Sequence, residues 1–270
     1  MFIKCSKITK VINMLPKERR DLILELLKEN EKIEIEQLAE KLNVSAMTIR
    51  RDLTYLEDEE MVIRTHGGAV LNKPLIVETS FQVKEGKQHL EKMLIAKKAL
   101  AFIEDHSTIL LDSGTTTLEI AKLIKDKKDL TVVTNDIKIA AELMDSEIKV
   151  IVAGGELQNS VGALFGPVTE QILRNIHVDL CFLGTHAVHL KAGITATTFE
   201  KAFAKRLMIE AAEATWLVAD SSKFQQKSLT KVCDLKRIDG IITDRGVPGD
   251  YQQQLMEDLE VIIADWSDEA

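Results

Sequence analysis

The chain has 270 residues, of which 45% are hydrophobic and 29% charged, a composition typical of folded globular proteins and unlike that of disordered chains. Its formal net charge of -8, taken as an average, disfavours nucleic acid as a partner. Residues 1–73, however, balance 13 basic against 13 acidic residues, so the whole net charge belongs to the remainder. A DNA-binding first part is therefore compatible with the acidic average, and the length fits one large domain or two unequal ones.

Three further features narrow the class of protein. No apolar run approaches the roughly 20 residues that a membrane-spanning helix needs. Lysines at positions 4, 7 and 10 interrupt the apolar N-terminus, so we expect no signal peptide. Cys5, Cys181 and Cys233 lack C-x-x-C spacing, which favours neither a disulfide framework nor a zinc site. We expect a cytoplasmic protein without a membrane partner, a metal or a cofactor.

The first part of the chain predicts a small helical module. Apolar residues recur at helical spacing over Lys17–Asn30 and again over Leu38–Leu42, and Ser45 is a good N-cap for a third helix. Helices joined by so few residues have the layout of a helix-turn-helix. Met61–Val70 then places a Gly-Gly pair between two β-prone stretches, which predicts a hairpin that forms a wing beside the third helix.

One side of the third helix is suited to DNA. On a helical wheel Ile49, Leu53 and Leu56 face the core of the module, and polar and basic residues lie opposite. Arginine donates to guanine or phosphate, and methyl-bearing tips meet thymine, so this side fits a major groove. The predicted DNA-binding residues on the helix and the wing are Ser45, Met47, Thr48, Arg50, Arg51, Thr54, Arg64 and His66. The plainer alternative is a solvated helix with an incidental arginine pair, and a histidine in a turn without a contact.

Two stretches of this module carry a resemblance to a known family. In order and spacing, Val44–Leu53 and Ile63–Ala69 resemble the winged helix-turn-helix of the DeoR family of bacterial transcription repressors. The resemblance implies a DNA-binding module, which we place at residues 14–71. Chains of that family tend to begin near Met14, so we expect residues 1–13 to be an extension before the native start.

Beyond a linker expected at residues 72–82, residues 83–270 predict one α/β domain. A helix is predicted from Val83 to Glu104. Short apolar runs then alternate with helical stretches, which indicates a mostly parallel sheet covered on both faces. The predicted strands are Thr108–Leu111, Leu130–Thr134, Lys149–Ala153, Leu180–Leu183, Thr215–Ala219, Gly240–Thr243 and Val261–Ala264. The predicted helices between them are Leu118–Ile124, Ile137–Met144, Val168–Ile176 and Phe199–Ala212.

Polar residues follow several of these strands. Ligands of such sheets bind at the carboxyl ends of the strands, so we expect four strand ends to converge on one crevice. Asp112–Thr117 joins a strand to a helix with hydroxyls, a glycine and free helix amides, which favours phosphate. The predicted ligand-binding residues are Asp112, Ser113, Gly114, Thr115, Thr116, Thr134, Asn135, Gly154, Gly155, Lys205, Asp220 and Lys223. The plainer alternatives are helix caps, a turn at the glycine pair and a solvated lysine.

The same residues extend the resemblance. Asp112–Thr116, Gly154-Gly155 and Asp220–Phe224 resemble the effector domain of the DeoR family, so that the likeness covers about residues 14–245. It implies a fold related to ribose-5-phosphate isomerase and a phosphorylated sugar as inducer. It further implies phosphate at Ser113–Thr116, and sugar hydroxyls near Asp112, Asn135, Asp220 and Lys223.

These features favour a repressor of a carbohydrate-utilisation operon. Its homo-oligomer, a dimer or a tetramer, would bind double-stranded operator DNA and be released or modulated by a phosphorylated sugar. The alternative is an enzyme like a sugar-phosphate isomerase, with Asp112, Asp220 and Lys205 as acid–base groups. Fold kinship alone is analogy, so we expect no enzyme.

Two other readings of the polar residues are weaker. Asp112–Thr115 matches the D-[ST]-G-[ST] pattern of aspartic proteases, but that chemistry needs two carboxylates and the sequence holds no second motif. His186 and His189 form the closest histidine pair of the chain. Lying on a loop near Gly184, they are expected to be ordinary polar surface and not metal ligands.

Overall fold

A computed structural model of the protein describes residues 14–30, 32–59, 61–65, 67–71 and 80–265. The chain divides into two compact units, residues 1–74 and residues 75–270, which we call the N-terminal and the C-terminal unit. No helix within the described ranges is long and apolar enough to cross a membrane.

The N-terminal unit is a winged helix-turn-helix, as predicted. Its elements are α1 (Pro16–Glu29), β1 (Lys32–Glu34), α2 (Ile35–Lys41), α3 (Ala46–Asp58), β2 (Val62–Thr65) and β3 (Gly68–Leu71). Ser45 caps α3 by accepting a hydrogen bond from the amide of Thr48 at 3.1 Å. The wing is larger than the predicted hairpin, because β3 pairs antiparallel with β1 as well as with β2.

One face of each longer helix forms the core of this unit. Ile23 and Leu27 of α1 are buried against the inner side of α3. The three positions of α3 that the sequence places inside, Ile49, Leu53 and Leu56, are at most 2% exposed. These buried side chains form a hydrophobic core that belongs to this small unit alone. Burial of each contributes roughly 1.5–3 kcal/mol to its stability.

The C-terminal unit is an α/β domain. Its helices are α4 (Phe81–Gly86), α5 (His89–Ala99), α6 (Thr115–Leu123), α7 (Ile137–Leu143), α8 (Pro167–Arg174), α9 (Phe199–Ala211) and α10 (Gly249–Met256). Its strands are β4 (Thr108–Leu111), β5 (Thr131–Thr134), β6 (Lys149–Val152), β7 (Glu156–Gln158), β8 (Ala163–Phe165), β9 (Val178–Leu183), β10 (Ala187–His189), β11 (Gly193–Ala196), β12 (Ala212–Val218), β13 (Thr230–Cys233), β14 (Gly240–Asp244) and β15 (Glu260–Ala264).

A seven-stranded parallel sheet forms the centre of this unit, in the order β15-β14-β12-β9-β4-β5-β6. The seven predicted strands are the strands of this sheet, although β9 and β12 begin two and three residues earlier than predicted. The chain runs outward from β4 to β6 and then returns to β9 on the other side of β4. The strand order therefore reverses between β4 and β9, where an open sheet forms its ligand crevice.

Successive side chains of the sheet point to opposite faces, and both faces are covered. Ile109 packs into one core cluster and its neighbour Leu110 into the other. Trp216 of β12 lies against Gly240 of β14, where a Cβ atom would come within 2.4 Å of the indole ring. The ring centroid of Phe102 lies 4.2 Å from that of Trp216. A small residue at position 240 is therefore needed to admit the tryptophan.

Two predictions for this unit were wrong in detail. The single helix predicted over Val83–Glu104 is two helices, α4 and α5, separated at Gln88, which has a left-handed backbone with a φ of 50°. The first of them begins at Phe81, inside the predicted linker. The short antiparallel strands β7, β8, β10, β11 and β13 were not predicted.

Candidate functional site

The outer side of α3 is the candidate DNA-binding surface. Met47 keeps 56% of its surface exposed, and Arg51 and Thr54 are exposed beside it. An apolar tip next to a guanidinium group and a hydroxyl is the combination that a major groove can accept. The helical members of the predicted set lie together along α3 and at its cap: Ser45, Met47, Thr48, Arg50, Arg51 and Thr54.

Arg64 lies on wing strand β2 and reaches back to α3. Its Nη1 atom donates to the carbonyl oxygen of Arg50 and to Oγ1 of Thr54, both at 3.4 Å. Its Nε atom is buried and has no hydrogen-bond partner within the described ranges. Arg64 thus joins the wing to α3. His66, also predicted to contact DNA, lies outside the described residues.

The arginines of this unit differ in whether a carboxylate of the unit lies beside them. Asp52 of α3 is 2% exposed and accepts hydrogen bonds from Nε of Arg19 at 2.5 Å and from Nε of Arg20 at 3.1 Å. Arg50 lies 4.0 Å from a carboxylate of α2. Arg51 forms no ion pair with any residue that the structure describes. It is therefore the α3 cation with the least internal competition for DNA.

A cavity opens in the C-terminal unit at the carboxyl ends of β4, β9 and β12, beside the reversal of strand order. Seven predicted ligand-binding residues line it: Ser113, Gly114, Thr115, Thr116, Lys205, Asp220 and Lys223. The lining also includes residues outside the predicted ligand-binding set: Phe81, Lys84, Thr117, Val161, Phe165, Gly184, Thr185, His186, Ala196, Thr197, Lys201, Val218 and Ala219.

The loop between β4 and α6 presents helix amides to this cavity. Gly114 is the N-cap of α6, and Oγ1 of Thr117 donates to its carbonyl oxygen at 3.0 Å. The first amides of a helix have no acceptor within the helix, and the helix dipole adds partial positive charge there. A Cβ atom at Gly114 would meet only Oγ1 of Thr117, at an ordinary 3.5 Å. The packing of the loop itself therefore does not require glycine at position 114.

Asp112 fixes the floor beneath that loop. The residue is 1% exposed; Oδ1 accepts from the amide of Ser113 at 2.8 Å, and Oδ2 from the amide of Gly184 at 2.9 Å. Oδ2 also pairs with the ammonium group of Lys205, which donates to the carbonyl oxygen of Gly184 at 3.0 Å. Asp112 thus ties β4, β9 and α9 together. It does not line the cavity.

The lining favours an anion. The lining contains four lysines (positions 84, 201, 205 and 223), of which Lys205 pairs with Asp112, and one carboxylate, Asp220, which is itself 1% exposed. Oδ1 of Asp220 accepts a hydrogen bond from the amide of Ser222 at 3.1 Å. Burial lowers the pKa of Lys223, and the nearby charges of Lys84 and Lys87 lower it further, whereas Asp220 raises it. An anion beside Lys223 would relieve this crowding of positive charge.

The remaining predicted residues do not line the cavity: Thr134, Asn135, Gly154 and Gly155. The expectation that four strand ends converge was wrong for β5 and β6, because the β7–β8 hairpin covers their ends. Nδ2 of Asn135 donates to the carbonyl oxygen of Leu164 in that hairpin at 3.0 Å. At Gly155, where φ is +149°, a Cβ atom would lie 2.3 Å from the carbonyl oxygen of Phe165. These residues hold the hairpin that supplies Val161 and Phe165 to the cavity.

The histidine pair differs from its prediction as ordinary polar surface. His186 lines the cavity, whereas Nδ1 of His189 in β10 accepts the amide of Lys191 at 3.1 Å. Within the described ranges no group of three His, Cys, Asp or Glu residues is placed to hold a metal ion. Lys201 precedes Lys205 by one helical turn, a spacing that would have indicated it from sequence. No comparable signal existed for Phe81.

The two units together define a class of protein, a regulator with a winged helix-turn-helix and a separate ligand-sensing α/β domain. The DeoR-like helix-turn-helix domain matches residues 19–74, and the DeoR C terminal sensor domain matches residues 87–245. The chain belongs to the DeoR family of transcriptional regulators, which confirms the resemblance carried by its sequence.

Relatives match along most of their length. A putative aga operon transcriptional repressor of Escherichia coli O157:H7 is 36% identical over 250 residues, which is 91% of this chain and 93% of that protein. The HTH-type transcriptional regulator GlpR of Haloferax volcanii is 35% identical, with 93% of this chain and 98% of that protein covered. An L-fucose operon activator of Haemophilus influenzae is 35% identical, with 87% and 94% covered.

Two solved structures illustrate the more distant likeness. Ribose 5-phosphate isomerase A of Methanocaldococcus jannaschii has a TM-score of 0.39 and 15% identity, with 51% of this chain and 55% of that chain covered. The translation initiation factor eIF-2B of Pyrococcus horikoshii has a TM-score of 0.41 and 17% identity, with 86% and 83% covered.

Proposed function

We propose that the protein is a repressor of a carbohydrate-utilisation operon, and that a phosphorylated sugar in the cavity of the C-terminal unit sets its affinity for operator DNA. The observation that carries the proposal is the N-terminus of α6, which opens into a cavity lined by four lysines. Helix amides, hydroxyls and ammonium groups together suit a phosphate ester. The names of the relatives, which include regulators of sugar operons, support the same reading.

The proposed ligand places its phosphate on the amides and hydroxyls of Ser113–Thr116. Asp220 and Lys223 are then the polar groups for the sugar hydroxyls, because a carboxylate accepts and an ammonium donates. Asp112 and Lys205 serve the site by fixing its floor. Their mutual ion pair also argues against the isomerase alternative, since two of its three candidate acid–base groups are already engaged with each other.

On the DNA side, the proposal places α3 in the major groove with Met47, Arg51 and Thr54 toward the bases. Helix-turn-helix proteins of this kind bind two half-sites about one helical turn apart, so the proposal includes a homo-oligomer. Arg64 reaches the groove as a member of the same surface as α3, because it donates to Thr54 and to the backbone of Arg50.

Thermal shifts test the ligand half. The full-length protein is heated with triose, pentose and hexose monophosphates, with each parent sugar as control. A phosphorylated ligand should raise Tm where its parent sugar does not, because a ligand stabilises the state that binds it. In Gly114→Ala the ligand-free Tm should stay near that of the wild type, because the added methyl group meets no close neighbour. The rise in Tm on addition of the phosphorylated ligand should be lost in this variant. Equal shifts with parent sugars, or a full shift in Gly114→Ala, would contradict the phosphate site.

Anisotropy with labelled DNA from upstream of neighbouring operons tests the DNA half. The phosphosugar that gives the largest thermal shift should weaken specific binding, and the protein should lower run-off transcription in its absence. Arg51→Ala should weaken specific binding by about 1–3 kcal/mol if Arg51 contacts a base. Lys128→Met, an exposed change in the other unit, serves as the matched control. Specific binding that no phosphosugar alters would contradict control by a ligand.

A further inference from the structure

Helix α4 connects the cavity to the chain that leads to the N-terminal unit. It is six residues long, contributes Phe81 and Lys84 to the cavity, and begins two residues after position 79. We infer that α4 is the anion-responsive element of the protein: a phosphate at the α6 loop is shared by Lys84 of α4 and Lys223, holds α4 on the cavity, and thereby changes DNA binding. The inference rests on the proposed function, because it assumes that the ligand is anionic.

The first turn of α4 is held by residues outside the helix. The amide of Phe81 donates to the carbonyl oxygen of Ser160 at 2.9 Å, and Phe81 as a whole is 7% exposed. Nζ of Lys138 lies 4.0 Å from the centroid of that ring and donates to the carbonyl oxygen of Val161 at 3.0 Å. One lysine therefore joins Phe81 to the loop between β7 and β8.

The last turn of α4 is held in a similar way. Lys92 of α5 is 3% exposed, and its ammonium group donates to the carbonyl oxygens of Lys84 and Lys87. A cation at the C-terminus of a helix satisfies carbonyls that lack partners within the helix and opposes the negative end of the helix dipole. Because a helix of six residues is unstable alone, these contacts decide whether α4 stays in place.

Between these two attachments, α4 contributes a positive charge to the cavity. Lys84 and Lys223 line the same cavity, so an anion at the α6 loop can contact ammonium groups from α4 and from the rest of the unit. Burial lowers the pKa of Lys223 most, Asp220 raises it, and the charges of Lys84 and Lys87 lower it. An anion between the ammonium groups of Lys84 and Lys223 contacts Lys84 only while α4 is docked. With an anion between the two ammonium groups, docking becomes more favourable, so the ligand binds the docked state better than the undocked one, as a population shift requires.

A change in the docking of α4 affects the chain that leads to the N-terminal unit, whatever the arrangement of the two units. Phe81 follows the segment that joins them, so a change in the docking of α4 changes where that segment ends. A ligand that contacted only the ends of the sheet strands would not change the docking of α4. Lys84 therefore distinguishes ligand sensing from ligand binding, and substitution of Lys84 should separate the two.

Hydrogen–deuterium exchange of the full-length protein tests the inference, with inorganic phosphate as the probe and chloride of equal ionic strength as the reference. In the wild type, phosphate should slow exchange in both residues 113–118 and residues 81–87, each by at least about threefold. In Lys84→Met, phosphate should still protect residues 113–118 but no longer residues 81–87. Lys128→Met should behave as the wild type.

The outcomes separate the inference from the proposed function. Protection of residues 113–118 without protection of 81–87 in the wild type overturns the inference and leaves the phosphate site standing. Protection of neither overturns both. DNA anisotropy in the same buffers completes the test: phosphate should weaken wild-type binding, and Lys84→Met should bind DNA in chloride within about twofold of the wild type but lose the response to phosphate. A wild-type affinity that phosphate leaves unchanged, or a full response in Lys84→Met, overturns the coupling.

Discussion

Asp52 in the N-terminal unit and Asp112 in the C-terminal unit are both buried carboxylates with cationic partners, and they differ in what those partners are. Asp52 has two arginines from adjacent positions of α1, whereas Asp112 has one lysine and two backbone amides. Arg19 and Arg20 hold α3, the helix proposed to contact DNA, in place through Asp52. Because both are engaged with Asp52, we expect neither to contact DNA. The single lysine at Asp112 fixes the floor of the cavity.

Loss of the single lysine should have the largest effect. Lys205→Met leaves the carboxylate of Asp112 buried without its cation, so it should lower the free energy of unfolding by about 3–5 kcal/mol. Urea titrations followed by circular dichroism measure this. Exposed Lys128→Met should stay within about 0.5 kcal/mol of the wild type. A loss below about 1 kcal/mol in Lys205→Met would show that the two amides suffice for Asp112.

Loss of one of the two arginines should cost less. Arg20→Met leaves Asp52 paired with Arg19, so the expected loss is about 1.5–3 kcal/mol, that of one hydrogen bond to a charged group. Part of this comes from packing, because the guanidinium of Arg20 lies 3.6 Å above the ring centroid of Tyr55. The same urea titrations apply. Equal losses in Arg20→Met and Lys205→Met would remove the distinction between one cation and two.

A third buried carboxylate, Asp136, lacks such a cation and sharpens the comparison. Its Oδ1 accepts the amide of Lys138 at 2.8 Å, its Oδ2 has no partner among the described residues, and burial raises its pKa from 3.8 to about 6. Since the folded state then keeps a proton that the unfolded state has released, stability should fall as the pH rises from 4 to 6.

Asp136→Asn tests this directly. Asparagine keeps the cap of α7 and removes the buried charge, so at pH 7.5 the variant should be more stable than the wild type by about 1–3 kcal/mol. Unfolding titrations at several pH values should also show a smaller fall in stability between pH 4 and 6 than in the wild type. A variant that is less stable than the wild type at pH 7.5 would contradict a destabilising charge at Asp136.

The smallest expected effect concerns DNA. Because Asp52 engages Arg19 and Arg20, these cations should neutralise no phosphates, and Arg20→Met should change the slope of log affinity against log salt by less than about 1. Anisotropy titrations over a range of salt concentrations measure the slope. A reduction by a full unit would place Arg20 on the DNA backbone and weaken the contrast with Asp112.

Prediction from sequence succeeded where the pattern of burial was local. Each of the seven sheet strands contains a short apolar or β-branched run, and neighbours such as Ile109 and Leu110 pack on opposite faces, so a run of this kind indicates a strand of the sheet. The break at Gln88 carried no such mark. A left-handed residue other than glycine depends on tertiary contacts, here including Lys92 on the end of α4.

The candidate site was predicted in part for a related reason. The strand-end rule indicated Ser113–Thr116 and Asp220 correctly as cavity residues, but it also indicated Asn135 and Gly155. The strand order and the β7–β8 hairpin decide which ends stay open, and neither can be read from one strand at a time. Phe81 and Lys84 reach the cavity through the break after α4, so their part in it depends on the same tertiary contacts.

The fit of Trp216 against Gly240 has a practical consequence for optical measurements. The chain has two tryptophans, Trp216 and Trp266, and both belong to the C-terminal unit. Intrinsic tryptophan emission should therefore follow that unit alone, while the peptide chromophore follows both. Tryptophan fluorescence therefore distinguishes the unfolding of the C-terminal unit from the unfolding of the N-terminal unit, without any engineered dye.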